Sequence, residues 1–172
     1  MNSSPRMEVE SLAAFDVHVH LESTDDRTAT DTAVNKYFGD SGAAREANAL
    51  AEYYLSRKIA FVIFAVDERL TGRPRVSNDE VVRFAERNSD VAIPFASIDP
   101  NRGAEGVQEA KRLVSARKVR GLKLHPPVQK FIPNDSLAYP LYEVFAEAQL
   151  PVIFHTGHSG IGTGMPGEAG CT

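Results

Sequence analysis

Ile59-Ala60-Phe61-Val62-Ile63-Phe64-Ala65-Val66-Asp67 places eight apolar side chains in a row before its first charge. A run of this length is too short for a buried helix. It has no polar face, so it predicts a strand covered on both sides, the habit of parallel sheets. Four shorter apolar runs stand around it, at residues 15–21, 92–99, 121–126 and 151–157.

Segments with helical spacing separate most of these runs. Ala47, Leu50, Ala51, Tyr54 and Leu55 form one stripe. Asn78 or Asp79 is placed to cap a helix carrying Val81, Val82, Phe84 and Ala85. Val107, Ala110, Leu113 and Val114 line the next helix, and Leu141, Val144, Phe145 and Ala148 the last, which Pro140 helps to start. Alternating strands and helices predict a parallel sheet with right-handed crossovers.

The later strands start at residues 59, 92, 121 and 151, spaced by 33, 29 and 30 residues. That is the period of a β/α unit. Three more units would add ~90 residues and bring the chain near the ~250 of a closed eight-stranded barrel. The expected fold is therefore α/β, of the (β/α)8 TIM-barrel type. The 172 residues form a single domain holding about the first five strands, cut inside the loop after the fifth. An open five-stranded sheet is the competing architecture. Residues 22–44 are polar and follow the first strand as a long loop, and residues 159–170 carry five glycines.

Composition narrows the function. Hydrophobic residues make up 42% and charged residues 24%, which is globular. Nineteen basic against 23 acidic residues leave a net charge of -4, and no basic block argues for nucleic acid. Cys171 is the single cysteine, so neither a disulfide framework nor a four-cysteine zinc site is available. Residues 1–10 lack a signal peptide's apolar stretch, and no run approaches the ~20 residues of a membrane span. A cytoplasmic protein acting on small molecules, with neither membrane nor nucleic acid as partner, is the expectation.

The chemistry concentrates at strand ends. In Asp16-Val17-His18-Val19-His20, strand alternation turns Asp16, His18 and His20 to one side and Phe15, Val17 and Val19 toward the helices. Two imidazoles on one buried face suit a divalent metal, against the alternative of two hydrogen-bonded core histidines. In Pro151-Val152-Ile153-Phe154-His155-Thr156-Gly157-His158, His155 falls at the carboxyl end of the fifth strand, where a barrel keeps its site. It is placed to complete a three-histidine set, while His158 beyond it is either a substrate contact or a surface residue. In Gly121-Leu122-Lys123-Leu124-His125-Pro126, Lys123 and His125 share one face. An inward lysine needs a carboxylate, a bound anion or a carbamate. An interior salt bridge to Asp16, Asp67 or Asp99 is its structural alternative. His125 is a candidate proton carrier or substrate contact.

Two tempting motifs fail on context. Gly157-His158-Ser159-Gly160 resembles a nucleophile elbow but has Ile161 where G-x-S-x-G requires glycine, and no histidine follows His158. Gly162-Thr163-Gly164-Met165-Pro166-Gly167 matches G-x-G-x-x-G, yet it follows the fifth apolar run and contains proline.

Together, D-V-H-V-H-L, G-L-K-L-H-P and V-I-F-H-T-G resemble the amidohydrolase superfamily. They are most similar to its amidohydrolase-related branch, which includes metal-dependent non-oxidative decarboxylases. The resemblance implies a distorted (β/α)8 barrel with a divalent metal, usually zinc with manganese as the other choice, at the carboxyl end. His18, His20 and His155 match its ligands. It implies hydrolysis of a small amide, ester or lactone, or alternatively decarboxylation of an aromatic or unsaturated acid, and it admits a homodimer. Lys123 and His158 are then substrate contacts and His125 the catalytic histidine. The family also places a histidine on strand six and an aspartate on strand eight, beyond Thr172. A truncated barrel acting only by binding, and a metal-dependent phosphoesterase of related architecture, are the other readings.

Overall fold

The structure is a computed structural model, and it describes residues 7–21, 47–67 and 76–156. Five parallel strands run through them: β1 (Ala14–His20), β2 (Ile59–Phe64), β3 (Ala92–Pro94), β4 (Leu122–Leu124) and β5 (Val152–Phe154). Helices α1 (Ala47–Leu55), α2 (Asn78–Arg87), α3 (Ala104–Ser115), the short α4 (Pro126–Gln129) and α5 (Tyr139–Glu147) alternate with them. His158, residues 22–44 and residues 159–170 lie outside the described residues.

Strand order separates the two expected architectures. β1 pairs with β2 and β2 with β3, β4 pairs with β5, and an Ala96–Leu122 bridge joins the two groups. Every strand therefore neighbours its predecessor in sequence. A doubly wound sheet reverses its order at a switch point, whereas consecutive order is that of a TIM barrel. β3 is short because Pro94 lacks an N–H; the Pro94 carbonyl accepts from Arg120, and the Phe95 N–H donates to Ile63.

Strand alternation then builds two layers. Phe61, Ile63 and Ala65 pack outward with Val81, Phe84 and Ala85 of α2. Leu122 and Leu124 pack outward with Ala110 and Leu113 of α3 and with Leu141 and Phe145 of α5. Val62, Phe64 and Phe95, with Ile93 and Ile153, form the inner cluster. Gly121 lies under the Phe95 ring, where an added Cβ would come within 2.3 Å of it, so this position requires glycine. Helix α2 is capped by Ser77, one residue earlier than expected, in a reciprocal capping box with Glu80.

The first strand departs from strict alternation. Asp16 pairs with Phe61 and Val19 with Ile63, so three steps on β1 oppose two on β2, a β-bulge. Asp16 thereby turns to the helix side, where its Oδ2 accepts from the Tyr54 hydroxyl at 2.7 Å and its Oδ1 from the His18 N–H at 2.9 Å. The expected common face of Asp16, His18 and His20 is corrected to the two histidines. Phe15 and Val17, expected against helices, are instead 48% and 55% exposed.

Candidate functional site

The bulge leaves His18 and His20 two residues apart on the inner side of β1. Their Nε2 atoms approach to 3.1 Å. Across the interior, the His18 ring lies 6.3 Å from the His155 ring, centre to centre, at the carboxyl end of β5. The His155 N–H donates to the Leu124 carbonyl at 2.9 Å, so β5 pairing with β4 sets its height. His125 stacks on His155 with ring centres 4.0 Å apart and planes 8° from parallel. Lys123 stands among them, 1% exposed, with Nζ 5.2 Å from the centre of the Phe64 ring. The structure thus gathers His18, His20, His125, His155 and Lys123.

Electrostatics keeps the rings neutral. Burial, then the neighbouring His18 and Lys123, push His20 down to about 4. Burial, then His155 and Lys123, push His125 down to about 3. His18 and His155 are lowered by burial first and by Lys123 next. Burial alone brings Lys123 down to about 8. Neutral imidazole is the form that donates a lone pair to a metal.

The donor set fits a divalent ion through its closest pair. Two nitrogens bound to one ion at about 2.0–2.1 Å stand roughly 3–3.5 Å apart, and the His18–His20 separation lies in that range. Without an ion the same approach is a hydrogen bond, one ring donating and the other accepting. As the side chains stand, no group of three His, Cys, Asp or Glu among the described residues is gathered tightly enough to hold a metal.

The interior salt bridge considered for Lys123 is absent among the described residues. Asp67 accepts from Arg102 Nη1 at 2.9 Å, and Asp99 Oδ1 accepts from the Asn101 N–H and Nδ2. These carboxylates belong to a polar shelf under the strand-end loops that sequence reading did not find. Asp67 Oδ2 also accepts from the Asp99 N–H at 2.9 Å, and the Asp67 carbonyl accepts from Gln129 Nε2 at 3.3 Å. Fully buried Gln129 accepts the His125 N–H at 2.7 Å through Oε1. No motif signals this, because its members lie up to 62 residues apart.

The depressed histidines make a signed pH prediction. Unfolded histidines titrate near 6.5, so below that value the unfolded chain binds more protons than the folded one. Stability of the metal-free chain is present above about 6.5. It is lost as pH falls, through about 4 for His20 and onward to about 3 for His125. Urea midpoints at pH 7, 6 and 5 are expected to fall stepwise, by on the order of 1 kcal/mol per unit. A flat profile would remove the buried neutral histidines from the account.

Comparison with known proteins follows this geometry. A family model described as amidohydrolase matches residues 15–171. An uncharacterised TIM-barrel protein from Bordetella bronchiseptica superposes with a TM-score of 0.53 at 23% identity, over 67% of this chain and 41% of that one. A 5-carboxyvanillate decarboxylase from Novosphingobium aromaticivorans, solved with manganese and 3-methoxy-4-hydroxy-5-nitrobenzoic acid, also superposes at 0.53. Its identity is 11%, over 91% of this chain and 54% of that one. The chain thus spans about half the length of these barrels, and at these identities they establish the fold alone. No match was found among curated proteins. No described helix is long and apolar enough to cross a membrane.

Proposed function

The chain belongs to the amidohydrolase family, and on that premise we propose that it serves a metal-dependent hydrolase acting on a small amide, ester or lactone. His18, His20 and His155 are the residues that would hold the ion. The observation that carries this reading is the 3.1 Å approach of the His18 and His20 Nε2 atoms, with the His155 ring beside them at the strand ends. A divalent ion bound there supplies a hydroxide near neutral pH and polarises a carbonyl oxygen. The chain's own residues do the rest. Burial keeps the three imidazoles neutral, Lys123 contributes positive charge toward the substrate, and apolar Phe64, Phe95 and Ile153 limit water around it. His125, stacked on His155 and held at its backbone by Gln129, is the candidate proton carrier.

Non-oxidative decarboxylation is the second reading. It is favoured by the manganese-containing decarboxylase neighbour and by the cationic interior around Lys123. Zinc suits three nitrogen donors, and manganese is the ion of that neighbour.

The test loads the protein with zinc or manganese and follows two signals, acid release from lactones, esters and amides, and carbon dioxide release from aromatic carboxylic acids. Hydrolysis that needs the ion supports the first reading. Carbon dioxide release selects the second. Neither signal with either ion, in protein shown to hold it, overturns both.

A further inference from the structure

Lys123 is 1% exposed, and its ammonium makes no hydrogen bond or ion pair among the described residues. The nearby carboxylates are turned elsewhere: Asp16 to Tyr54, Asp67 to Arg102 and Asp99 to Asn101. On the same face of β4 and its extension, His125 is 6% exposed and its Nδ1 is buried without a hydrogen-bond partner. Each feature alone destabilises a fold, because a buried charge or donor forfeits its hydration. Both occur within one interior wall. Strain of this kind persists where the surroundings hold it for use by a ligand.

We infer that Lys123 and the His125 ring form a carboxylate-binding subsite beside the three histidines. The ligand class follows from the charges and the walls. A single ammonium balances a monoanion, while a phosphate dianion would leave charge in excess. Phe64, Phe95, Ile93 and Ile153 line the inner cluster next to Nζ and suit an apolar body on the acid. A small organic monocarboxylate with a flat or apolar frame meets both conditions. As the handle of the substrate this subsite rests on the proposed function, but binding of the acid requires neither metal nor turnover.

Benzoate is the probe and benzamide its neutral isostere, titrated by calorimetry into the metal-stripped full chain. Wild type is expected to bind benzoate about tenfold or more tightly than benzamide, as a charge-assisted pair requires. Lys123→Met is expected to lose that preference while melting at or above wild type, because the variant removes an unpaired buried charge. His125→Phe retains the stacked shape and is expected to weaken benzoate about threefold or more. Equal binding of benzamide, no binding of benzoate, or unchanged benzoate affinity in Lys123→Met would overturn the subsite. So would a Lys123→Met chain that melts well below wild type, since Lys123 would then be a structural group. Metal occupancy is measured separately, so failure of the metal reading leaves this result intact.

Discussion

Replacing His18 with alanine is expected to lower affinity for a divalent ion by about 100-fold or more, with the chain still folded. His18 Nε2 stands 3.1 Å from His20 Nε2, and the His155 ring contacts His18 rather than substituting for it. Removing His18 therefore takes away one nitrogen of the close pair and the ring that links the pair to β5. The outer strand face is untouched, since Val19 and its partner Ile63 remain packed. Folding should change little, because His18 is among the more exposed residues of β1. The measurement is metal content after dialysis against a weak chelator, read with a thermal melt. His155→Ala should show a similar loss if the strand-five ring joins the pair as third donor. Full occupancy in His18→Ala would withdraw the ligand assignment and leave the 3.1 Å approach as a hydrogen bond between two core histidines.

Asp67→Ala is expected to cost about 2–4 kcal/mol and to lower the melting temperature by roughly 5–15 °C for a chain of this size. The Asp67 side chain lies in the buried shelf, where Oδ2 accepts from both the Asp99 N–H and Arg102 Nη1 at 2.9 Å. Alanine leaves the Asp99 N–H buried without an acceptor. Arg102 keeps Glu105 and Glu109, which offsets part of the loss. Asp67→Asn retains an acceptor and should cost less than half as much. The Gln129 contact is made to the Asp67 backbone carbonyl, so the turn at His125 should survive the substitution. A loss below about 0.5 kcal/mol would show that the shelf is not a cooperative unit.

Both results depend on features that sequence reading reached unequally. The apolar run at Ile59, the β/α period and the inward parity of Lys123 and His155 were legible, because alternation along a strand and spacing along a helix are local properties. The capping box of α2 was visible in kind, though its cap is Ser77 and not Asn78 or Asp79. The three-histidine grouping was legible only through the barrel expectation, which brings strand ends together.

What the amino-acid sequence alone determined is the order of elements, their two faces and the kinds of chemical group at their ends. Tertiary structure decided which of those groups meet. The bulge in β1 is a two-strand register event, and nothing local to Asp16 announces that the carboxylate leaves its histidines for Tyr54. Likewise, Asp67 chooses Arg102 over Lys123 because β2, β3 and β4 deliver their loops to one shelf, and the lysine is left facing the barrel interior without a carboxylate. Periodicity reports direction along one element. Partnership depends on the registers and approaches between elements, and those are settled only when the whole sheet packs.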